Sequence, residues 1–242
     1  MRVLKNYMEK IFDGREVFPG FGVCESVNVA TDSKIIITNF NGTTDFAISA
    51  GVTLDVTALV MDCAGCGIHM NFFLGKMSRL RCLILAEGCS NVNATVTSSL
   101  NGEYSSSTVV NFFHGERFDE QTFSVTQTHN AANARSLAVS KTILDGHAHS
   151  EFLGSVNISE IADNSDACQR NDNILFSEFA RATSLPALNI LNNNVKCSHG
   201  ATVGAIDDSV IFYMMNRGID LRACKSLITD GIVWDLISGK TT

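Results

Sequence analysis

The feature that most constrains the fold of this 242-residue chain is a series of short apolar or alternating segments running from about residue 34 to residue 195. Each segment is rich in Val, Ile, Thr, Leu or Phe and is bounded by Gly, Asn, Asp or Ser, which is the pattern of β-strands. They recur every ~12 to 25 residues, without the intervening helical pattern of about 10–15 residues that crossover connections would need. The segments are 34–38, 52–60, 80–86, 92–97, 108–113, 122–128, 137–144, 151–158, 173–176 and 187–191. The sequence therefore predicts an all-β fold.

Two all-β architectures accommodate this series: a sandwich, and a solenoid of stacked coils. Hairpins would favour a sandwich, whereas asparagines stacked at successive corners would favour a β-helix. The turns compatible with both are Asn41-Gly42, Asn101-Gly102 and Asn192-Asn193-Asn194. Proline occurs only at positions 19 and 186, so little in the sequence interrupts hydrogen bonding between neighbouring strands. The pattern alone leaves the two architectures open.

The composition argues against several functional classes. Hydrophobic residues make up 45% of the chain and charged residues 18%, which argues against disorder. A net charge of −7 does not fit a nucleic-acid-binding surface, which needs clustered Lys and Arg. Residues 1–10 contain no continuous apolar segment, and no run of about 18 apolar residues occurs, so neither a signal peptide nor a membrane-spanning helix is expected. The eight scattered cysteines fit reduced thiols, and we expect a cytoplasmic protein.

A helical pattern begins near residue 207. Asp207 or Asp208 can cap a first short helix that ends at Gly218. Asp220 can cap a second helix that ends near Gly231. The apolar residues at helical spacing are Val210, Ile211, Met214 and Met215 in the first helix, and Leu221, Cys224, Leu227 and Ile228 in the second. Each helix would therefore present an apolar face.

Cys197 and His199 are the first candidates for metal ligands. They lie two residues apart, so on a strand their side chains would leave the same face about 6.5–7 Å apart. A thiolate and an imidazole are suitable ligands for iron, zinc or an iron–sulfur cluster. Taken alone, however, such a pair is more typical of a buried cysteine and a hydrogen-bonded histidine in a core.

Cys63 and Cys66 have the spacing of a redox or metal-binding motif, with His69 three residues further on. Haem attachment would need the histidine directly after the second cysteine, and a zinc ribbon would need a second pair at similar spacing, whereas Cys82 and Cys89 are too far apart. A structural role is the favoured interpretation. The sequence contains no nucleophile elbow, Walker loop or zincin motif, so a non-enzyme is predicted.

The segment that contains Cys197 and His199 reads Val195-Lys196-Cys197-Ser198-His199-Gly200-Ala201-Thr202-Val203-Gly204-Ala205-Ile206-Asp207, followed by Ile211-Phe212-Tyr213-Met214-Met215-Asn216-Arg217-Gly218-Ile219. It closely resembles the C-terminal signature of the SufB/SufD family, the scaffold subunits of the SUF iron–sulfur cluster assembly complex. This wording is similar to that of the SufD branch. The likeness extends over roughly residues 110–235. Its further segments are 125–129, 135–144, 145–156, Asp166-Ala167-Cys168-Gln169 and Pro186-Ala187-Leu188-Asn189-Ile190, where Asn189 replaces the family's usual glutamate.

The resemblance implies a right-handed parallel β-helix with a short helical C-terminal element. We expect an N-terminal segment over residues 1–24, a β-helix core over 25–200, and a helical partner-docking region over 201–242. A short amphipathic helix is also predicted within residues 1–13. The implied function is that of a non-catalytic scaffold subunit of an iron–sulfur cluster assembly complex, without contact to nucleic acid or membrane.

The resemblance also implies partners and ligands. His199 first and Cys197 second would contribute to a cluster-building site shared with a SufB-like subunit, or with a second copy of this chain. The iron or iron–sulfur cluster would be transient and would not be held stably by the isolated chain. The helical region would dock a SufC-like ABC-type ATPase, through Ile211, Met214, Met215, Arg217, Leu221 and Leu227.

The absence of one cysteine bears on whether the chain resembles the SufB branch or the SufD branch of the family. SufB-type proteins carry an essential cysteine about six residues before the proline of the Pro-x-x-Glu strand, and the corresponding position here is Ala180. This fits a SufD-like chain that lends ligands to a site completed elsewhere. The alternatives are a stand-alone metal-binding β-helix and a carbohydrate-active β-helix enzyme. The enzyme would require a groove of Asp with Lys or Arg, which the sequence does not indicate.

Overall fold

The computed structural model of the protein describes residues 16–19 and 25–238, so the possible helix within residues 1–13 lies outside the described part. Strands and helices follow one another in a single order, with all the strands first. The strands are β1 Glu16–Pro19, β2 Glu25–Val29, β3 Ser33–Thr38, β4 Gly42–Ile48, β5 Thr53–Met61, β6 Cys66–Leu74, β7 Arg79–Glu87, β8 Asn91–Leu100, β9 Ser106–Gly115, β10 Glu120–His129, β11 Arg135–Leu144, β12 His149–Ile158, β13 Asp166–Leu175, β14 Arg181–Ile190 and β15 Lys196–Ala205. The helices are α1 Asp208–Met215 and α2 Leu221–Ile237.

The strands alternate between two sheets, and every pairing among the described strands is parallel. One sheet has the order β1-β3-β5-β7-β9-β11-β13-β15, and the other has the order β14-β12-β10-β8-β6-β4-β2. Each strand therefore pairs with the strand two positions along the chain, one coil away. This is a parallel β-helix, and it decides between the two architectures that the strand pattern left open.

The coils lengthen along the chain. Asp32 and the residue that it contacts in the next coil, Thr53, are 21 residues apart, whereas Asn157 and Asn189 are 32 residues apart. The strands lengthen as well, from the 6 residues of β3 to the 10 residues of β8 and of every later strand. The solenoid is therefore narrow at its N-terminal end and wide at its C-terminal end.

Asparagines stack between neighbouring coils, as expected for a β-helix. The side-chain amide of Asn130 donates to Asn101 at 2.8 Å, and that of Asn189 donates to Asn157 at 2.8 Å. Stacked asparagines also occur at corners where the backbone has positive φ, the left-handed conformation that asparagine tolerates. The stacked amides thus satisfy one another's hydrogen-bonding groups between neighbouring coils.

Alternate residues of each strand point into the solenoid, and near the N-terminal end this interior is apolar. Phe46 and Phe72 stack there at 5.0 Å between ring centroids, and both are fully buried. Farther along, Phe123 and Phe152 occupy equivalent positions in β10 and β12, at 5.9 Å. Aromatic contacts between coils add to the stabilisation that burial itself provides.

The interior becomes polar towards the wide end. Buried Asn111 donates to Gln121 Oε1 and to Ser140 Oγ, both at 3.0 Å. His129 lies within 2.8 Å of Ser136 through Nε2, and its burial lowers its pKa from 6.5 to about 4. In this part of the solenoid, hydrogen bonds between buried side chains therefore accompany the apolar packing.

The two helices follow the last strand. Asp207 caps α1 by accepting from Ser209 N, and Gly218, with φ of +83°, lies in the turn after it. Asp220 caps α2 by accepting from Ala223 N, as the sequence predicts. The expected end of the second helix near Gly231 is wrong: α2 continues to Ile237, because packing of its later turns outweighs the weak helix preference of glycine. None of the described helices is both long and apolar enough to cross a bilayer.

Helix α2 lies against the outer face of the eight-stranded sheet. Val233 and Leu236 are buried there in an apolar cluster that also contains Ile36, Leu59, Leu83, Leu85, Val110, Phe112, Val139 and Ile143. Two polar contacts anchor the helix: Arg81 donates to Leu236 O at 3.1 Å, and Lys225 Nζ lies 2.6 Å from Asp145 Oδ2. The helix is therefore part of the folded core and not an appended tail.

Candidate functional site

The candidate ligands Cys197 and His199 both lie on β15, the last strand of the larger sheet. Cys197 is the register partner of Ala167, and His199 is the register partner of Gln169. Ala167 and Gln169 are buried inside the solenoid, so the two ligands occupy the next inward-facing positions of the same columns. The sequence prediction that both side chains share one strand face agrees with this register.

The coil that carries these residues is the last one, and it leaves them partly uncovered. Cys197 is half-buried against an apolar cluster of Val156, Ile158, Ala162 and Ala167, whereas His199 is exposed. Among the described strands, β15 and β14 each pair on one side only, so both present a free edge. The wide end of the solenoid is therefore open.

The electrostatic environment does not favour a free thiolate at this end. Partial burial raises the pKa of Cys197, and the nearby Asp166 carboxylate raises it further. A thiol with a raised pKa is protonated near neutral pH and needs a positive ligand, such as a metal ion, to ionise. Cys197 is therefore a candidate ligand only in its metal-bound, deprotonated form.

The two donors do not form a complete metal site by themselves. No group of three or more His, Cys, Asp or Glu side chains suited to a metal ion occurs among residues 26–238. Iron–sulfur clusters take about four protein ligands. Cys197 and His199 can therefore supply at most part of such a set.

The sequence did not predict that buried polar side chains of the neighbouring strand β13 lie beside the candidate ligands. Gln169 and Asn171 are each about 1% exposed, and neither side-chain amide has a hydrogen-bond partner among the described residues. Buried amides without partners are costly, and natural structures usually satisfy them with ordered water or a ligand. The available signal was the sequence of β13, in which Gln169, Asn171 and Asn173 alternate at the inward positions.

The predicted docking residues lie on a largely uncovered helical surface. Met215, Arg217, Leu221 and Leu227 are exposed, while Ile211 and Met214 are half-buried. Helix α1 has no buried residue, and it also exposes Phe212 and Tyr213, which the sequence analysis did not select. The Arg217 guanidinium lies over the Tyr213 ring, 4.9 Å from its centroid. The exposed apolar surface is therefore larger than predicted.

The other positions singled out from the sequence lie elsewhere. Ala180, which the resemblance aligns with the cysteine of SufB-type chains, is buried just before β14 and carries only a methyl group. Cys63 and Cys66 lie near the narrow end of the solenoid, far along the stack of coils from β15.

Comparisons with known proteins agree with this geometry. Residues 67–232, more than half of the chain, match the family described as SUF system FeS cluster assembly, SufBD core domain. The chain is similar to the iron–sulfur cluster assembly protein SufD of Escherichia coli, with 38% identity over 100 residues, which cover 41% of this chain and 24% of that protein. It is also similar to an iron–sulfur cluster assembly SufBD family protein of Synechocystis, with 28% identity over 167 residues, covering 67% of this chain and 36% of the relative.

A shorter relative from Galdieria sulphuraria, also an iron–sulfur cluster assembly SufBD family protein, is 29% identical over 103 residues, covering 43% of this chain and 47% of the relative. The chain thus spans less than half the length of each of these three relatives. The matched region contains β6 except its first residue, all of β7 to β15 and α1, and most of α2, and it therefore includes the open end of the solenoid. The parallel β-helix and the match over more than half of its length together establish that this chain belongs to the SufBD core family of the SUF iron–sulfur cluster assembly system.

Proposed function

We propose that this chain is a non-catalytic, SufD-like scaffold subunit that works in the cytoplasm and contributes one side of an iron–sulfur cluster-building site. The cluster is cargo that is assembled there and passed on. Membership of the SufBD core family supports the role in cluster assembly. The relative named SufD supports the choice of branch, as does the methyl group of Ala180.

The observation that carries the proposal is the position of Cys197 and His199 at the open end. They occupy inward-facing positions of an edge strand, with one side covered by β13 and the other side uncovered. Two donors leave the coordination of iron incomplete, and a protein that covers this end could bring the rest. The shared site is thus an interface site.

The surroundings of the two ligands favour a protein partner. Leu185, Ile190, Leu191 and Val203 are exposed apolar side chains on or next to the last two strands. Exposed apolar residues beside free strand edges are typical of surfaces that a partner covers. The partner we propose is a SufB-like subunit, which would supply the thiolate that this chain lacks at Ala180, and a homodimer is the competing outcome.

The helical surface supports a second contact, with a SufC-like ABC-type ATPase. Phe212, Met215, Leu221 and Leu227 are exposed apolar residues of α1 and α2, close to one another along the chain. The inner side of α2 is held by Val233 and Leu236 against the sheet. Helix α2 is therefore fixed by one face and free to bind a partner through the other.

Substitution of His199 tests the proposal. The full chain, co-expressed with a SufB-like subunit and the ATPase, is purified anaerobically as wild type and as His199→Ala. We expect the variant to copurify both partners and to keep its melting temperature, but to yield at least several-fold less cluster per complex, measured by iron and sulfide content. His69→Ala is the matched control, because His69 is also an exposed strand histidine but lies near the narrow end.

A second substitution separates the ligands from general damage. Cys197→Ser should lower cluster yield less than His199→Ala, and Cys168→Ser, on the neighbouring strand, should leave it unchanged. Undiminished cluster yield from His199→Ala would refute the assigned role. If the isolated wild-type chain binds one metal ion tightly at Cys197 and His199 without any partner, the stand-alone metal-binding function is the correct one.

A further inference from the structure

Cys63 and Cys89 lie above one another in neighbouring coils. Met61 and Glu87 are the last register partners of β5 and β7, and each cysteine follows its strand by two residues. The two cysteines therefore occupy equivalent positions in successive corners, on the same side of the solenoid. The spacing along the chain pairs Cys63 with Cys66, but the fold gives Cys63 a different neighbour.

Backbone hydrogen bonds on both sides hold the two corners together. Asp62 N donates to Glu87 O at 3.3 Å, and Ser90 N donates to Cys63 O at 3.2 Å. Neighbouring strands lie about 4.8 Å apart, so stacked corner residues have Cα atoms roughly 5 Å apart. A disulfide needs a Cα separation of about 4.4–6.8 Å. The Cα separation expected at these corners is therefore compatible with a disulfide.

The sulfur atoms are in direct contact. The Cys63 thiol donates to Cys89 Sγ at 2.9 Å, and both thiols are free. The Cys66 thiol has another partner, since it donates to the carbonyl oxygen of Phe40 in the preceding coil. Contact and register both pair Cys63 with Cys89 and not with Cys66.

The Cys63 and Cys89 thiols differ in their exposure to solvent. Cys63 is half-buried and can be reached from solvent, whereas Cys89 is fully buried. Burial raises the pKa of Cys89 to about 12, and hydrogen bonding to Cys63 adds to this, while burial raises that of Cys66 to about 11. An oxidant from solvent therefore meets Cys63 first.

We propose that Cys63 and Cys89 are a redox modification site, at which a peroxide oxidises the two thiols to a reversible disulfide between neighbouring coils. The Cys63 sulfur attacks one oxygen of hydrogen peroxide, forming a sulfenic acid and releasing water. The Cys89 sulfur then attacks the Cys63 sulfur, the S–S bond forms, and the sulfenic oxygen leaves as water with the Cys89 proton. In sum, two thiols and one peroxide give one disulfide and two waters, and the peroxide is reduced.

The disulfide would tie two coils together near the narrow end of the solenoid. It would close a loop between residues 26 positions apart and so reduce the conformational freedom of the unfolded chain. Because the two sulfur atoms are already in contact, formation of the disulfide needs little movement of the backbone. The expected result is a higher melting temperature for the oxidised protein, reversed by dithiothreitol.

The test uses the full chain, purified reduced and treated with a small excess of hydrogen peroxide. Free thiols are then blocked with N-ethylmaleimide, and the protein is digested with trypsin. Cleavage after Lys34, Lys76, Arg81 and Arg117 releases peptides 35–76 and 82–117, which should be found joined by a disulfide. Cys63→Ser should abolish the joined product, whereas Cys66→Ser, at the start of β6, and Cys82→Ala should retain it.

Three results would overturn the proposal. They are a product joined through Cys66, a Cys63 that ends as sulfinic acid with Cys89 still alkylated, and thiols that all stay alkylated after peroxide. The Cys63→Ser variant alters only a half-buried side chain, so circular dichroism before treatment establishes that it folds. None of these results bears on the cluster-building role of His199, which is tested separately.

Discussion

His199 and Gln169 are register partners on adjacent parallel strands, yet Gln169 is buried and His199 is exposed. The difference arises because β13 has a strand on either side, whereas β15 is the last strand of its sheet. A partner that covered β15 would bury His199 as β15 buries Gln169. The candidate site is therefore a continuation of the polar interior, ending at a surface.

The first prediction concerns the contribution of the buried polar side chains to the free energy of unfolding. Asn111 and Asn171 are buried inward-facing residues that both pair in register with Ser140, but only Asn111 has hydrogen-bond partners among the described residues. Asn111→Leu strands the amide of Gln121 and should lower the free energy of unfolding by about 2–3 kcal/mol. Asn171→Leu removes an unpartnered amide at similar volume and should change it by less than about 1 kcal/mol. Equilibrium urea unfolding of both variants measures this difference.

The two variants control for each other, since they make the same chemical change in the same column of the sheet. A loss for Asn171→Leu as large as that for Asn111→Leu would contradict the prediction. It would mean that the amide of Asn171 is satisfied by internal water in solution.

The second prediction concerns pH and His129. Burial lowers the pKa of His129 in the folded protein from 6.5 to about 4. Between these two pH values the unfolded chain therefore binds a proton at His129 and the folded protein does not. Above pH ~6.5 this difference in proton binding does not reduce the free energy of unfolding. As the pH falls from there towards 4, the free energy of unfolding decreases by on the order of 1 kcal/mol per pH unit. His129→Gln, which can still contact Ser136, should flatten this part of the profile. Urea unfolding at a series of pH values measures it, and parallel profiles for both proteins would contradict it.

The third prediction concerns the helical surface. Met215→Glu combined with Leu227→Glu should weaken binding of the ABC-type ATPase at least tenfold, because both side chains are exposed and apolar. The melting temperature should stay unchanged, since neither residue is buried. Ile161→Glu is the control, since Ile161 is even more exposed than Met215 and Leu227 but lies in the corner before β13. Calorimetric titration with the ATPase measures the affinity, and wild-type affinity in the double variant would contradict the docking assignment.

The fourth prediction concerns the isolated chain. Anaerobic reconstitution with iron and sulfide should leave no stoichiometric, stable cluster, because Cys197 and His199 provide two donors and Ala180 provides none. Ultraviolet–visible absorption after desalting measures retention. A stable stoichiometric cluster on the monomer would contradict both the SufD-like assignment and the shared site.

Much of the fold could be predicted from the sequence, although its architecture could not be derived from strand patterns alone. Alternation in β8, β10 and β12 is regular, because each strand buries one face and exposes the other. The same alternation would occur in a sandwich, so it does not reveal which strand lies beside which. Pairing one coil away is set by corners such as that at Asn133, whose amide stacks on Asn164.

The candidate site could be predicted only in part. Cys197 and His199 stand out because thiol and imidazole are uncommon side chains that bind metals. Gln169 and Asn171 did not stand out, because polar residues at alternate positions usually indicate the solvent face of a strand. The pairing of Cys63 with Cys89 was equally hidden, since it depends on a coil length that no local pattern records.

The lengthening of the coils limits how this molecule could have changed size. A solenoid of equal coils can gain or lose one by duplication or deletion, because each coil fits its neighbours. Here a coil of 21 residues could not replace one of 32 without leaving strands of unequal length beside each other. Each coil is therefore specific to its place, and insertions are tolerated best in the corners or at the two ends.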